Sequence, residues 1–182
     1  TPTDQLERIL GRDESPISAT TQLREANDPR TQLKEAVDRY NDAVAFAATH
    51  AAGHLAVRAL ERRVEAAVPG LTEAAGWQAL RSELLLVQAD GRDPLPALAR
   101  ANSDPISTAY DPASVLAWRI TDNEWRGRRG PLPWLPAVPT RLEQHSDWGG
   151  YLASRARRIN YLVDAVHHQA ETATAAPKWL SS

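Results

Sequence analysis

The sequence predicts an all-α protein, a bundle-like domain built around one long helix or a pair of helices. Ala and Leu together account for 51 of the 182 residues, whereas the β-branched Val and Ile account for 15, and this ratio favours helix over strand. Apolar residues also recur every three or four positions along much of the chain, which is the spacing of one helical face. The absence of Cys excludes a disulfide framework and a thiolate metal site.

A third observation, the repeated dipeptide Asp-Pro, predicts where helices begin. Asp is a favoured residue at the position before a helix, and Pro at the first helical position loses no hydrogen bond. The four pairs lie at residues 28–29, 93–94, 104–105 and 111–112. Each pair is therefore a predicted helix start.

The strongest periodic tract runs from Asp28 to Val68, and we expect it to be helical over most of its length. Gly53 either bends this helix or divides it in two, and Pro69-Gly70 ends it. The apolar residues that define its buried face are Leu33, Val37, Tyr40, Val44, Ala47, Ala51, Leu55, Leu60 and Val64.

The other elements follow from the same signals. A helix with Trp77 and Val87 ends at Asp90-Gly91, and a last helix spans about Asp147 to Thr172, while the helical pattern fails between Thr121 and Thr140. We divide the chain into a helical linker (1–27), an all-α domain (28–172) and a flexible tail (173–182). Within the last helix, one face carries Leu152, Ala156, Ile159, Leu162 or Val163, and Val166.

A proline-rich segment, residues 131–139, interrupts the helices. Its four prolines in nine residues predict an extended or polyproline II-like conformation. Because an exposed apolar segment would gain nothing for its ordering cost, we expect Leu132, Trp134 and Leu135 to be buried. Their predicted neighbours are Tyr151, Ile159 or Leu162 of the last helix.

Arginine and tryptophan share the region after residue 118. The chain has a formal net charge of −2, but residues 119–158 contain eight Arg against four acidic residues. Grooves that bind single-stranded nucleic acid combine Arg with aromatic rings, although tryptophans can equally anchor a loop while the arginines are solvated. We expect the loop 126–129 to be exposed and mobile. The candidate DNA or partner contacts are Arg119, Trp125, Arg126, Arg128, Arg129, Arg155, Arg157 and Arg158.

Signatures of catalysis and of metal binding are missing from the sequence. It has no phosphate-binding loop, no nucleophile elbow and no His-Glu-x-x-His, so we expect neither enzymatic activity nor a cofactor in this stretch of chain. His50 and His54 are four residues apart and supply at most half a metal site, and the adjacent His167 and His168 are unsuited to joint chelation. We therefore expect no metal.

The ends of the chain and its hydropathy suggest its context. No stretch has the length and apolar character of a membrane-spanning helix, and no secretory signal is visible, so we expect no membrane insertion. The chain contains no Met, not even at position 1, so we expect an excised fragment or a processed product.

Two stretches resemble a known family. One comprises Leu6-Glu7-Arg8-Ile9-Leu10-Gly11-Arg12-Asp13, Ser18-Ala19-Thr20-Thr21, Asp28-Pro29 and Arg39-Tyr40-Asn41-Asp42-Ala43. The other comprises Asp111-Pro112-Ala113, Val115-Leu116-Ala117-Trp118-Arg119, Gly130-Pro131-Leu132-Pro133-Trp134-Leu135-Pro136 and Asp147-Trp148-Gly149 with Tyr151-Leu152. From about Leu6 to Val166, the chain is similar to the C-terminal region of conjugative relaxase–helicases of the TrwC/TraI type from actinobacterial mobile elements.

The resemblance implies a role beside the chemistry of DNA transfer. In that family a relaxase domain nicks DNA and a helicase follows it, and none of their catalytic positions maps onto this chain. What is implied is a cytoplasmic, non-catalytic accessory domain that follows a helicase and recruits relaxosome or coupling proteins. Two alternatives stay open, an auxiliary surface for single-stranded DNA in region 118–158 and a purely architectural cap on the helicase.

Overall fold

Six α-helices and one short 3₁₀ helix make up the part of the chain that the structure, a computed structural model, describes: residues 26–104, 106, 109–125 and 130–175. No strand occurs in those residues, so the predicted all-α class is confirmed. The predicted linker before residue 26, the loop 126–129 and the tail after residue 175 lie outside them. The helices are α1 (Pro29–Ala67), α2 (Trp77–Ala89), α3 (Pro94–Ala101), α4 (Pro112–Trp125), α5 (Thr140–Glu143) and α6 (Gly149–Ala175), with the 3₁₀ helix at Leu71–Glu73.

Three of the four Asp-Pro pairs begin helices as predicted. The Asp28 carboxylate accepts a hydrogen bond from the backbone N–H of Arg30 at 2.9 Å, and the Asp93 carboxylate accepts one from Leu95 at 3.2 Å. At the start of α4, Asp111 accepts from the backbone and hydroxyl of Ser114. These carboxylates satisfy backbone donors that have no partner within the helix. Pro105, of the fourth pair, lies outside the described residues.

Gly53 breaks the long helix α1. Its backbone angles, φ 75° and ψ 161°, belong to a region that is essentially restricted to glycine. The break shifts the helical phase, so the buried face that includes Tyr40 and Val44 resumes only at Leu60. Leu55, which the periodicity placed on the buried face, is instead 85% exposed.

Helix α2 is the centre of the core. Its residues Leu84, Leu85, Leu86 and Val87 are consecutive and all buried, because α1, α3, α4 and α5 pack around it. A helix that is apolar on most of its circumference requires such neighbours on several sides.

Helix α6 lies antiparallel to the first half of α1. Arg158 contacts Gln32 near the start of α1, whereas Trp148, just before α6, contacts Phe46 further along it. The predicted apolar face of the last helix is confirmed, since Leu152, Ile159 and Leu162 are buried. The helix continues past its predicted end at Thr172, to Ala175.

The proline-rich segment is not extended throughout. The backbone N–H of Leu135 donates to the carbonyl of Leu132 at 3.0 Å, which closes a turn with Pro133 in its second position, where proline is favoured. The residues at the two ends of the turn, Leu132 and Leu135, are buried as predicted. Trp134, predicted to be buried, is 68% exposed because the turn projects its two central residues outward. Helix α4 also extends to Trp125, beyond Thr121, where helical structure was predicted to fail.

Two close contacts fix this segment, one to α1 and one within the segment itself. The buried hydroxyl of Tyr40 donates to the carbonyl of Pro136 at 2.7 Å. At the start of the segment, a Cβ on Gly130 would lie 2.3 Å from the carbonyl oxygen of Leu135, so only glycine permits this approach. The segment is therefore fixed to α1 and folded back on itself.

Candidate interaction surfaces

Two residues of the predicted contact region have structural roles. Arg119 donates to the backbone carbonyls of Ala101 and Asp104, which tie the end of α3 to α4. Trp125 is 4% exposed, and its indole N–H donates to the carboxylate of Glu83 at 3.1 Å. The ring of Trp125 is thus unavailable for stacking on a ligand.

Two carboxylates near Trp125, those of Glu83 and Glu124, belong to a partly buried polar network. Burial raises the pKa of Glu83, and the hydrogen bonds from Trp125 and Thr121 oppose that shift. The neighbouring Glu124 is buried between the guanidinium groups of Arg92 and Arg100. Because buried charges are tolerated only when they are paired, this network serves to join α2, α3 and α4.

The remaining arginines of the prediction divide into two groups. Arg126, Arg128 and Arg129 lie outside the described residues. Arg155, Arg157 and Arg158 all lie on α6, where Arg157 and Arg158 are exposed and Arg155 is half-buried. The structure therefore places three of the predicted cations on one helix, beside α1.

Aromatic side chains of α1, of α6 and of Trp148, just before α6, meet next to Arg155. The ring of Trp148 lies 5.8 Å from that of Phe46 and 5.6 Å from that of His50, with both pairs edge-to-face, and 6.1 Å from that of Tyr151. Phe46 is 62% exposed, an unusual position for a large apolar ring. The edge-to-face contacts hold the rings in fixed orientations.

The aromatic rings and the arginines form one continuous groove between α1 and α6, which we name the α1–α6 groove. Its aromatic end is a cavity of about 490 Å³, and its cationic end is one of about 330 Å³. Arg39 and Arg155 line both cavities and so join them. The residues of the groove are Gln32, Glu35, Arg39, Asp42, Phe46, Trp148, Tyr151, Arg155 and Arg158.

A second exposed surface lies where the proline-rich turn meets α4. Trp118 and Trp134 are each 68% exposed, and both line a cavity of about 440 Å³ together with Pro133. The floor of this cavity includes the buried Leu135 and Trp125. We name the surface formed by Trp118, Pro133 and Trp134 the tryptophan surface.

The histidines form no metal site in the described chain. Gly53 lies between His50 and His54, and its non-helical backbone removes the shared helical face that their spacing predicted. No cluster of three or more His, Asp or Glu that could hold a metal occurs among the described residues.

Among the helices that the structure describes, none combines the length and hydropathy required to cross a membrane.

Phe46, His50, Trp148 and Tyr151 were not predicted as site residues, although each was visible in the sequence. The only signal that could have found them is the pairing of α1 with α6, which is not a local property.

In comparisons with known proteins, the chain matches no family model, no curated protein and no solved structure.

Proposed function

We propose that this chain is a non-catalytic, cytoplasmic accessory domain of a conjugative relaxase–helicase that recruits relaxosome or coupling proteins. The family resemblance described above supports the context of DNA transfer. The observation that carries the recruiting role is the tryptophan surface, on which two indole rings are exposed beside a cavity.

The composition of this surface suits a protein partner. Trp is the residue most enriched among those that dominate the free energy of protein association, and such residues sit in or beside pockets. Tryptophan side chains also contribute a large contact area with few rotatable bonds, which limits the entropy lost on binding.

The scaffold beneath the tryptophan surface is already ordered. Leu132 and Leu135 anchor the turn that presents Trp134, and Trp118 projects from the middle of α4. A surface held in its binding geometry before association has a smaller ordering cost to overcome. The partner that fits is a protein that inserts an apolar side chain between the two indoles.

The test is a binding titration of the immobilised chain with the purified relaxosome and coupling proteins of its own transfer system. The double variant Trp118→Ala/Trp134→Ala should weaken binding of one of them at least about 30-fold, since a dominant interface residue contributes about 2 kcal/mol or more. Leu55→Ala is the matched control because it removes an exposed apolar side chain elsewhere, and its affinity should equal that of the wild type.

Thermal melting separates loss of binding from loss of folding. Because Trp118 and Trp134 are both largely exposed, the double variant should melt within a few degrees of the wild type. Wild-type affinity in the double variant would contradict the proposal. Failure of every transfer protein to bind the wild-type chain would also contradict it and would favour an architectural cap.

A further inference from the structure

We infer that the α1–α6 groove is a binding site for single-stranded nucleic acid, with bases on its aromatic end and phosphates on its cationic end. This site shares no residue with the tryptophan surface, so it goes beyond the proposed recruiting role. An experiment can therefore contradict nucleic-acid binding by the groove without contradicting the recruiting role of the tryptophan surface, and the reverse also holds.

The aromatic end offers faces for bases. Phe46 and Tyr151 are both exposed, and Trp148 contacts both rings. His50 stacks on Phe46 and Arg155 lies over Tyr151, so a base would use the faces that these two groups leave open. Stacking on an aromatic ring is open to every base because every base has a π face. We therefore expect the aromatic end to bind single strands with little preference for their base sequence.

The cationic end offers guanidinium groups held in place. Arg158 donates to the side-chain carbonyl of Gln32 at 2.9 Å and lies 5.3 Å from the centre of the Tyr161 ring. Arg155 lies 4.6 Å from the centre of the Tyr151 ring, so it links the two ends of the groove. A planar guanidinium positioned in this way can contact a phosphate through two parallel hydrogen bonds.

Two acidic groups limit the charge of the groove. Glu35 pairs with Arg39 at 3.1 Å and so neutralises it, and Asp42 lines the aromatic end. About two arginines, Arg155 and Arg158, are left to contact phosphates. Asp42 at the aromatic end also disfavours a polyacidic peptide, because the charges of the peptide would approach it, whereas an uncharged base is not repelled.

The alternation of ring and cation favours a single strand over a duplex. In a nucleotide chain each base adjoins a phosphate, which matches an aromatic cavity and a cationic cavity joined by Arg155. The base faces of a duplex are covered by neighbouring bases and cannot reach Phe46. A single strand is therefore the form that can use both ends of the groove.

The test is a fluorescence anisotropy titration of the whole chain with fluorescein-labelled oligo(dT) of about 12 nucleotides, a length within the range of single-strand sites. Phe46→Ala should weaken binding at least about fivefold, the low end of what one stacked base contributes. Arg158→Ala should also weaken binding, and Arg158→Lys should restore part of it because the charge returns without the planar fork.

Two matched controls lie outside the groove. Arg62→Ala removes an exposed arginine of α1 beyond the Gly53 break, and Leu55→Ala removes an exposed apolar side chain. Both should bind oligo(dT) as the wild type does. Phe46 and Arg158 are exposed, so their variants should keep the wild-type melting temperature, and Tyr151→Ala is a second aromatic variant should Phe46→Ala fail to fold.

Salt dependence provides an independent measurement. With two phosphate contacts to a single strand, raising monovalent salt from about 50 to about 200 mM should weaken binding roughly sevenfold. An affinity that does not depend on salt would overturn the assignment of phosphates to Arg155 and Arg158.

Three further outcomes would overturn the inference. Absence of saturable binding of oligo(dT) to the wild-type chain would directly overturn the inference. Equal affinity for a duplex of the same length would exclude stacking as the basis of binding. A polyglutamate peptide that binds at the same arginines while oligo(dT) does not would assign the groove to an acidic protein instead.

Discussion

At the scale of single residues, the carboxyl of Glu83 has a raised pKa. It is half-buried and accepts a hydrogen bond from the indole N–H of Trp125. Burial raises its pKa because a charged carboxylate is poorly solvated there, and the bonds from Trp125 and Thr121 only oppose the shift. The folded chain therefore holds this proton more tightly than the unfolded chain does.

The raised pKa of Glu83 predicts a specific pH dependence of stability. Its contribution is fully present below the ordinary glutamate pKa of 4.5 and is lost as the pH rises through the folded value. Glu83→Gln keeps a carbonyl acceptor for Trp125 but cannot ionise. We therefore expect the variant to lose less stability than the wild type between pH 4.5 and neutrality, measured by urea unfolding at a series of pH values.

The control for this prediction is Glu73→Gln, since Glu73 is an exposed glutamate of the 3₁₀ helix. Its stability should follow that of the wild type across the series. Parallel pH profiles for the wild type and Glu83→Gln would contradict the prediction.

At the scale of elements, the break at Gly53 is predicted to be a requirement of the fold rather than a defect of α1. Gly53→Ala should destabilise the protein by about 1–3 kcal/mol, because its backbone conformation is strained for any residue with a Cβ. No atom lies within 4 Å of the position of that Cβ, so the cost would come from the backbone and not from a clash.

Gly150→Ala is the matched control for Gly53→Ala. Gly150 also has open space around its Cβ position, but it belongs to α6 and has no positive φ. Alanine there should be neutral or stabilising by roughly 0.4–1 kcal/mol. Urea unfolding distinguishes the two variants, and a Gly53→Ala variant as stable as the wild type would show that α1 can straighten.

Helices could be predicted from the sequence where the residues that define their ends lie within a few positions of one another. The Asp-Pro starts at residues 28, 93 and 111 depend on a carboxylate and a proline within a few residues, and all three were predicted. The outward orientation of Trp134 was not predicted. It depends both on the burial of Leu132 and Leu135 and on the turn at Pro133. The prediction of burial for all three apolar side chains rests on the cost of ordering an exposed extended segment, and it does not include the turn.

The α1–α6 groove could be predicted only in part, because it is formed by residues that are far apart in the sequence. Arg155 and Arg158 were recognised from composition, because they lie in an arginine-rich stretch. Phe46 was not, because it becomes relevant only when α6 folds back on α1 and brings Trp148 beside it. A single sequence contains the rings but not the pairing of the helices that carry them.

At the scale of the whole molecule, Tyr40 connects α1 to the proline-rich segment across 96 positions of sequence. Tyr40→Phe should destabilise the protein by about 1–3 kcal/mol, because it leaves the buried carbonyl of Pro136 without its donor. Tyr110→Phe, which alters an exposed tyrosine, should have no effect on unfolding.

The same tyrosine predicts behaviour at alkaline pH. Burial, and to a smaller extent Glu143, raises the pKa of its phenol above the ordinary value of 10.0. The resulting stability is fully present below pH 10.0 and is lost as the pH rises toward the folded value, so the wild type should lose stability more steeply there than Tyr40→Phe. Equal slopes above pH 10.0 would contradict this role of Tyr40.

The antiparallel pairing of α1 with α6 has a consequence for synthesis of the chain on the ribosome. Gln32 and its partner Arg158 are 126 positions apart, so the first half of α1 leaves the ribosome long before α6 is made. Throughout that interval the first half of α1 lacks the helix that later packs against it. The contacts among α2, α3 and α4 are closer in sequence and form at a smaller entropic cost. We therefore expect α2–α4 to fold first, and closure of α6 to complete the domain only after translation of the last helix.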